Sequence, residues 1–401
     1  MDDCYQNSPE LLLKNSDNVK AVGIFDVAVI GGGPSGSMAA HFLAEHGIST
    51  VLIEKESLPR YKTCGGGLVG RGRKIIPFDI ASVIEREFYQ VDMFFSEKPI
   101  KISVQRDQPI INMIMRDSFD YFMLKKAEER GLRILQNHKL LDISFGETQI
   151  LHTSEGTVEA KFIIAADGAL SPTAKIAGWQ ETRTLIPALE CEIDIPADDF
   201  ERLSPSARFD IDAIPGGYGW CFPKKNHFSI GIGRFVKKSG KSNLKEYYKK
   251  YLNGLGITQI LQEEMRHFVI PVSPRTDKFF QKSVFLIGDA AGFADPITAE
   301  GLSNAMYSGL LAAQAIVESK LDSTLAEILY HEKLETSLLP EIRTGVLLSK
   351  WFYEKSKLRN LLVKSYGQSF AEAMADVFMG DRSYPKDYKK VIKRKIKGLI
   401  S

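Results

Sequence analysis

FDVAVIGGGPSG, residues 25–36, is the stretch that decides the fold of this chain. Its first half, residues 25–30, is a short apolar run that reads as a buried parallel strand. Glycines then stand at 31, 33 and 36, the spacing G-x-G-x-x-G. Residues 35–46 have helical character, and Gly47 is suited to close that helix. Residues 49–54, STVLIE, form a second strand ending in Glu54. Strand, glycine turn, helix and strand make a βαβ unit, and each glycine has its own task. Gly31 permits the tight turn, Gly33 lets the backbone approach a pyrophosphate, and Gly36 lets helix and strand pack closely. Ser35 sits at the helix start, where free N–H groups and partial positive charge suit phosphate. Glu54, 23 residues after Gly31, is placed to accept hydrogen bonds from a ribose without a 2′-phosphate.

Further along, residues 118–130 read as a helix closed by Gly131. KFIIA, residues 161–165, is another buried strand and leads into Asp167-Gly168. Residues 186–236 alternate and are rich in aromatics, with Pro and Gly turns, which predicts an antiparallel sheet. SVFLI, residues 283–287, returns to a buried strand and leads into Gly288-Asp289. From Gly301 onward the chain reads helical. The fold class is therefore α/β: a Rossmann-type dinucleotide domain interleaved with an antiparallel-sheet substrate domain, plus a helical C-terminal region. The expected bounds are a lead-in at 1–24, the nucleotide domain at 25–185 and 281–330, the substrate domain at 186–280, and the helical region at 331–401.

The 401 residues are 44% apolar and 25% charged, an ordinary globular composition. Lys+Arg number 52 against 50 Asp+Glu, so a dedicated nucleic-acid binder is excluded. Cys4, Cys64, Cys191 and Cys221 form no CxxC pair, so neither a disulfide framework nor a zinc site is expected, and no metal. This fits a reducing cytoplasm. No apolar run reaches membrane-spanning length, and residues 1–24 lack the pattern of a signal peptide. Basic charge gathers at the end: Lys386, Lys389, Lys390, Lys393, Arg394, Lys395 and Lys397 interleave with Val391, Ile392, Ile396, Leu399 and Ile400. Two readings stand, a peripheral contact with anionic lipid and a solvated helix end.

Two motifs favour FAD over NAD. Ala166-Asp167-Gly168 and Gly288-Asp289-Ala290-Ala291-Gly292 each close a strand. A carboxylate such as Asp289 can bond the ribityl hydroxyls, and the helix start near Gly301 and Leu302 can stabilise negative charge on a reduced ring. With the opening βαβ unit, these motifs resemble the FAD-binding superfamily of the p-hydroxybenzoate hydroxylase type. The resemblance assigns Arg116, at the head of RDSFDYFMLKKAEERG, to the FAD phosphates or ribitol. Lys55, beside Glu54, and Leu140 complete the expected cofactor contacts.

Two further stretches, PRYKTCGGG at 59–67 and YGWCFPK at 218–224 continuing to Gly231 and Gly233, resemble the geranylgeranyl reductase family. FMGDRSYPKDY, residues 378–388, also looks typical of it. The resemblance implies hydride transfer from reduced FAD to one carbon of an allylic double bond and a proton to the other. It places Gly65, Gly66 and Gly67 against the flavin ring with Cys64 beside them, to assist proton delivery or merely to pack. It gives Tyr218, Trp220 and Phe222 to the walls of a long apolar channel and Lys224 to a phosphate head group. These aromatics read equally as core strand residues, Lys224 as a turn lysine, and His227 as a strand or turn residue. NAD(P)H or a ferredoxin would supply electrons. Competing readings are a flavin monooxygenase or halogenase on the same fold, and a prenyl-binding protein without flavin chemistry, of the Rab GDP-dissociation-inhibitor type. The W-x-W-x-I-P pattern of halogenases is absent, and the intact glycine and aspartate set speaks against the last reading.

Overall fold

A computed structural model describes residues 21–95, 100–236 and 243–400. Residues 1–20 of the expected lead-in, with Cys4, lie outside the described residues. The first strand, Ala21–Ile30, starts before the expected bound because its parallel partner, Gly156–Ala165, is equally long and pairs with it as far back as Ala21.

The leading sheet has eight strands. Its main path runs Phe280–Gln281, Val284–Leu286, Gly156–Ala165, Ala21–Ile30, Thr50–Ile53, Arg133–Leu135. Val27, Ala28, Val29, Val51, Leu52, Ile163 and Ile164 are all fully buried. A parallel sheet covered on both faces requires such continuous apolar runs. Helices Pro34–Glu45 and Leu302–Glu318 pack against each other over this sheet.

The second sheet has seven strands, in the order Gln262–Pro271, Leu185–Asp194, Phe228–Arg234, Gly217–Pro223, Ala207–Ile211, Gln90–Phe95, Ile100–Gln105. The last two strands come from residues that the sequence reading leaves inside the nucleotide domain. Ala207–Ile211 pairs with Gln90–Phe95 in parallel, an exception in an otherwise antiparallel sheet. Side chains alternate across the sheet. Leu189, Cys191, Cys221, Ile230 and Ile232 point into a core closed by helix Leu244–Gly254. Tyr218, Trp220 and Phe222 point the other way, and so by alternation do Glu190, Glu192 and Ser229. This second face is the roof of the site.

A small sheet, Gly67–Val69 with Ile111–Ile114 and Ile84–Phe88, carries the Cys64–Gly67 loop beneath that roof. The C-terminal helices Leu339–Glu354 and Ser356–Met379 close the side, sharing a core with Met93, Phe95 and Ile102. Polar ties fix this closure. Tyr384 donates to Asp295 Oδ2 at 2.9 Å, and Arg71 bridges Glu300 at 3.1 Å and Glu341 at 3.3 Å. Among the described residues no helix is long and apolar enough to cross a membrane.

Candidate active site

The nucleotide end is built on the glycine turn. A side chain at Gly36 would overlap the Gly31 carbonyl, so only glycine allows this approach of helix to strand. Gly31 has φ +105°, and a Cβ there would press on the Ala166 carbonyl. Gly33 differs: a Cβ there would meet only the guanidinium nitrogens of Arg60 at 3.8 Å and Arg116 at 3.9 Å. Two cations thus converge on the open face of the turn, at the start of helix Pro34–Glu45. Ser35 is buried there, with Gly288 against it. Asp120 holds both cations: its Oδ2 accepts from Arg60 at 3.0 Å, and its carboxylate takes Arg116 through Nε at 2.8 Å and a terminal nitrogen at 2.9 Å. Aspartate at 120 turns two mutually repelling arginines into a fixed clamp.

Glu54 is buried at the adjacent strand end. Its Oε2 accepts from Gly32 N at 2.9 Å and its Oε1 from Glu56 N at 3.1 Å. With Arg60 Nε at 3.4 Å, this leaves acceptor capacity on the carboxylate for a ribose hydroxyl. Lys55 points outward and pairs with Glu56 at 3.5 Å. Leu140 is buried in the apolar core of the leading sheet, so only its backbone is free to line a cofactor. Asp167 serves its own turn: Oδ1 accepts from Ser171 Oγ at 2.6 Å and Oδ2 from Thr173 N at 2.9 Å. Gly168, at φ +81° with open space around it, carries the chain past Gly31.

At the other end stands Asp289, its carboxyl raised above the usual range by burial and opposed by Lys62, Arg116 and Arg183. Its Oδ1 lies 3.6 Å from where a Gly301 Cβ would be, against the start of helix Leu302–Glu318. Arg183 braces this segment from below, donating to the carbonyls of Asp289 at 2.5 Å and Ala169 at 2.7 Å. Arg275 adds a bond to Ala290 O at 2.9 Å.

Between the two ends lies the Cys64–Gly67 loop. Gly66 has φ +67°, and a Cβ there would overlap the Ile114 carbonyl. Cys64 Sγ accepts from Gly66 N at 3.4 Å. The roof aromatics press on this loop, with Trp220 Nε1 at 3.0 Å and Phe222 at 3.2 Å from a Cβ built on Gly65. The Tyr218 hydroxyl donates to the Thr298 carbonyl. Lys224 departs from its expected place. It is fully buried, and its Nζ donates to Gly65 O at 2.6 Å and Ile114 O at 3.1 Å. Two of the ammonium's three N–H groups are committed to backbone carbonyls, and the side chain clamps the loop from behind instead of lying in a solvated turn. Burial lowers its pKa.

Beyond the loop is an apolar cavity of about 40 Å³ lined by Phe209, Tyr218, Phe352, Tyr353, Met374 and Phe378 among others. That is room for about one water, far from the long channel expected. Apolar walls pack to crystal-like density, so any longer apolar ligand would have to displace the unbranched Met374 and its neighbours. Four of these six residues come from the C-terminal helices, which the sequence reading gives no part in the site. Arg60, Asp120, Arg183 and Arg275 were also missed; of these, Arg60, inside PRYKTCGGG, and Asp120, inside RDSFDYFMLKKAEERG, stood in motifs already singled out.

The residues present fit a flavin dinucleotide: an open glycine cradle faced by two clamped guanidiniums, a ribose-side carboxylate, and a second carboxylate before a helix start. Comparison with known proteins agrees. The family described as FAD binding domain matches residues 25–319. The chloroplastic geranylgeranyl diphosphate reductase of Arabidopsis thaliana is 31% identical over 394 residues, covering 90% of this chain and 81% of the relative. The digeranylgeranylglycerophospholipid reductase of Methanocaldococcus jannaschii is 27% identical, covering 73% of this chain and 76% of its own. Among solved structures, a geranylgeranyl bacteriochlorophyll reductase-like protein from Thermoplasma acidophilum superposes with a TM-score of 0.77 at 24% identity, over 93% of this chain and 99% of that one.

Proposed function

This chain belongs to the FAD-binding flavoprotein family and, within it, to the geranylgeranyl reductases, and from that premise we propose that it reduces carbon–carbon double bonds of an isoprenoid chain. The observation that carries this reading is the roof strand Gly217–Pro223, whose Trp220 and Phe222 press on the Gly65–Gly67 loop and whose Tyr218 lines an apolar cavity. Bound FAD, once reduced, supplies two electrons and one hydrogen to an alkene carbon, chemistry that belongs to the cofactor. The chain's own residues do the rest. Arg60 and Arg116 would hold the pyrophosphate, Glu54 the ribose, and Asp289 the ribityl hydroxyls. The glycines of the Cys64–Gly67 loop let the backbone lie close to the ring, and the apolar walls align a substrate with no polar handle along its chain. This makes the protein an oxidoreductase acting on CH–CH groups, with NAD(P)H or a ferredoxin as electron donor.

An anaerobic single turnover tests the reading. Chemically reduced holoenzyme mixed with a geranylgeranyl compound is expected to reoxidise while the product gains two hydrogens. If the flavin stays reduced until air is admitted, and the product is then heavier by an oxygen atom or a halogen, the reductase reading is overturned.

The substrate's solubility bears on the basic C-terminal helix, Tyr388–Ile400. The side chains of Ile392, Lys397, Leu399 and Ile400 lie outside the described residues; Lys395 Nζ lies 4.0 Å over the Tyr366 ring. We assign this helix to the surface of an anionic bilayer, from which prenyl lipids are drawn. Each basic residue near such a surface contributes about 1 kcal/mol. Replacing Lys389, Lys390, Lys393 and Arg394 by glutamine is therefore expected to weaken co-sedimentation with phosphatidylserine vesicles roughly a thousandfold at low salt. Equal binding by the variant would return the helix to the solvated reading.

A further inference from the structure

The seven-stranded sheet ends in strand Gln262–Pro271, which pairs with Leu185–Asp194 on one side. Among the described residues no strand lies along its other side. Residues 261–264, 266 and 267 are exposed. Such an edge presents a row of unpaired N–H and C=O groups, a template for a further strand. Sheets defend an edge of this kind with a bulge, an early proline or repelling charge. Here the register with Leu185–Asp194 is unbroken over 10 residues, and the proline comes last.

The charges of this edge do not repel a copy of it; they complement one. ILQEEMRHFVI, residues 260–270, matches itself when run antiparallel about Met265. In that register Glu264 falls opposite Arg266 of a second copy, and Glu263 opposite His267. Further out Gln262 meets Phe268, Leu261 meets Val269 and Ile260 meets Ile270. Opposite charges and apolar pairs directly across two strands stabilise them, and like charges destabilise them. A slide of two residues either way would set Glu264 against Glu264 or Arg266 against Arg266, and a parallel pairing would set like on like throughout. Leu261 is 61% exposed, an apolar side chain that such pairing would cover. Arg266 and Glu264 of one strand do touch at 2.9 Å, but their side chains are 43% and 51% exposed. A surface pair of that kind contributes little and is free to exchange partners. Met265 packs towards the core under helix Leu244–Gly254. By alternation Glu264 and Arg266 lie on the roof face, where the Arg266 guanidinium stacks 4.2 Å over the Tyr61 ring.

We propose that strand Gln262–Pro271 is a dimer interface: two copies of this chain join edge to edge, antiparallel about Met265, and their seven-stranded sheets become one continuous sheet. The backbone supplies the affinity and the mirrored charges fix the register. The same patch meets itself on both copies, so the contact closes at two and does not propagate into a fibre. The dimer is independent of the reductase reading, since neither flavin chemistry nor a prenyl substrate enters it.

Sedimentation velocity on the FAD-loaded full chain, over a concentration series, tests this. The wild type is expected to pass from monomer to dimer as concentration rises. Glu264→Arg sets arginine against arginine at two places in the dimer, and Arg266→Glu sets glutamate against glutamate at two places. Each alone is expected to raise the dissociation constant about a hundredfold or more. An equimolar mixture of the two variants restores opposite charges at both places and should dimerise as the wild type does. The chain carrying both exchanges should dimerise with itself for the same reason. Both positions are exposed, so the fold has no cause to change, and recovery in the mixture shows that each variant is folded. A wild type that stays monomeric up to about 100 μM, a dimer indifferent to either single exchange, or a mixture and a double variant that both stay monomeric overturns the interface.

Discussion

Gly36→Ala is expected to yield a protein that purifies without yellow colour. The methyl would overlap the Gly31 carbonyl and stand 3.1 Å from both Ala166 Cβ and Val29 Cγ1. None of these is the end of a flexible side chain, so helix Pro34–Glu45 must lift from the sheet. Overpacking of this kind costs about 3 kcal/mol. It also tilts away the N–H groups that would face the phosphates, so the loss of FAD affinity should be at least a hundredfold. Gly33→Ala provides the contrast. Its methyl meets only two guanidiniums at 3.8 and 3.9 Å, so the fold has no reason to suffer. The methyl would occupy the ground that a phosphate needs. The expected pair is therefore a destabilised, flavin-free Gly36→Ala and a stable, flavin-poor Gly33→Ala, read from denaturant midpoints and from FAD titration of the apoprotein. Equal stability of the two, or flavin retained in both, would refute this division of labour.

Lys224→Met is the second large effect. Methionine fills most of the space but cannot donate, so the carbonyls of Gly65 and Ile114 are left buried without their partner. Each such group costs about 1–3 kcal/mol, so a loss of about 4 kcal/mol is expected in urea unfolding. The damage should also reach function, because the loop that releases its carbonyl is the one laid against the flavin ring. Turnover should drop while FAD affinity, set by Arg60, Arg116 and Glu54, changes little. A fully stable Lys224→Met with weakened binding of diphosphate-bearing substrates would instead restore the head-group role.

The nucleotide end was legible in the sequence because its determinants are local. Three glycines, one strand and one carboxylate within thirty residues define it. The roof aromatics were legible for the same reason, as alternate residues of one strand. What joins distant segments was not. Tyr61 and Glu190 are 129 residues apart, and Arg183 reaches Asp289 across 106. The alternation Leu189, Glu190, Cys191, Glu192, Ile193 did hold a signal, since two acids on one side of an otherwise apolar strand have to face something polar. Lys224 misled because a lysine after Phe-Pro normally lies in a solvated turn; here the turn folds back over the loop. Strand Gln90–Phe95 was missed since it joins the sheet through Ala207–Ile211, more than a hundred positions later, and Ile100–Gln105 joins only through Gln90–Phe95.

The cavity walls come from two sources with different ages in the life of each molecule. The frame that would hold the cofactor is complete by helix Leu302–Glu318, whereas Phe352, Tyr353, Met374 and Phe378 leave the ribosome after it. Until they do, Met93, Phe209 and Tyr218 form an uncovered greasy face. An exposed apolar face of this kind makes a partly synthesised chain prone to aggregation. The same seam gives heredity a place to work: changes in the late helices reshape the cavity wall without touching the glycine turn and its arginines.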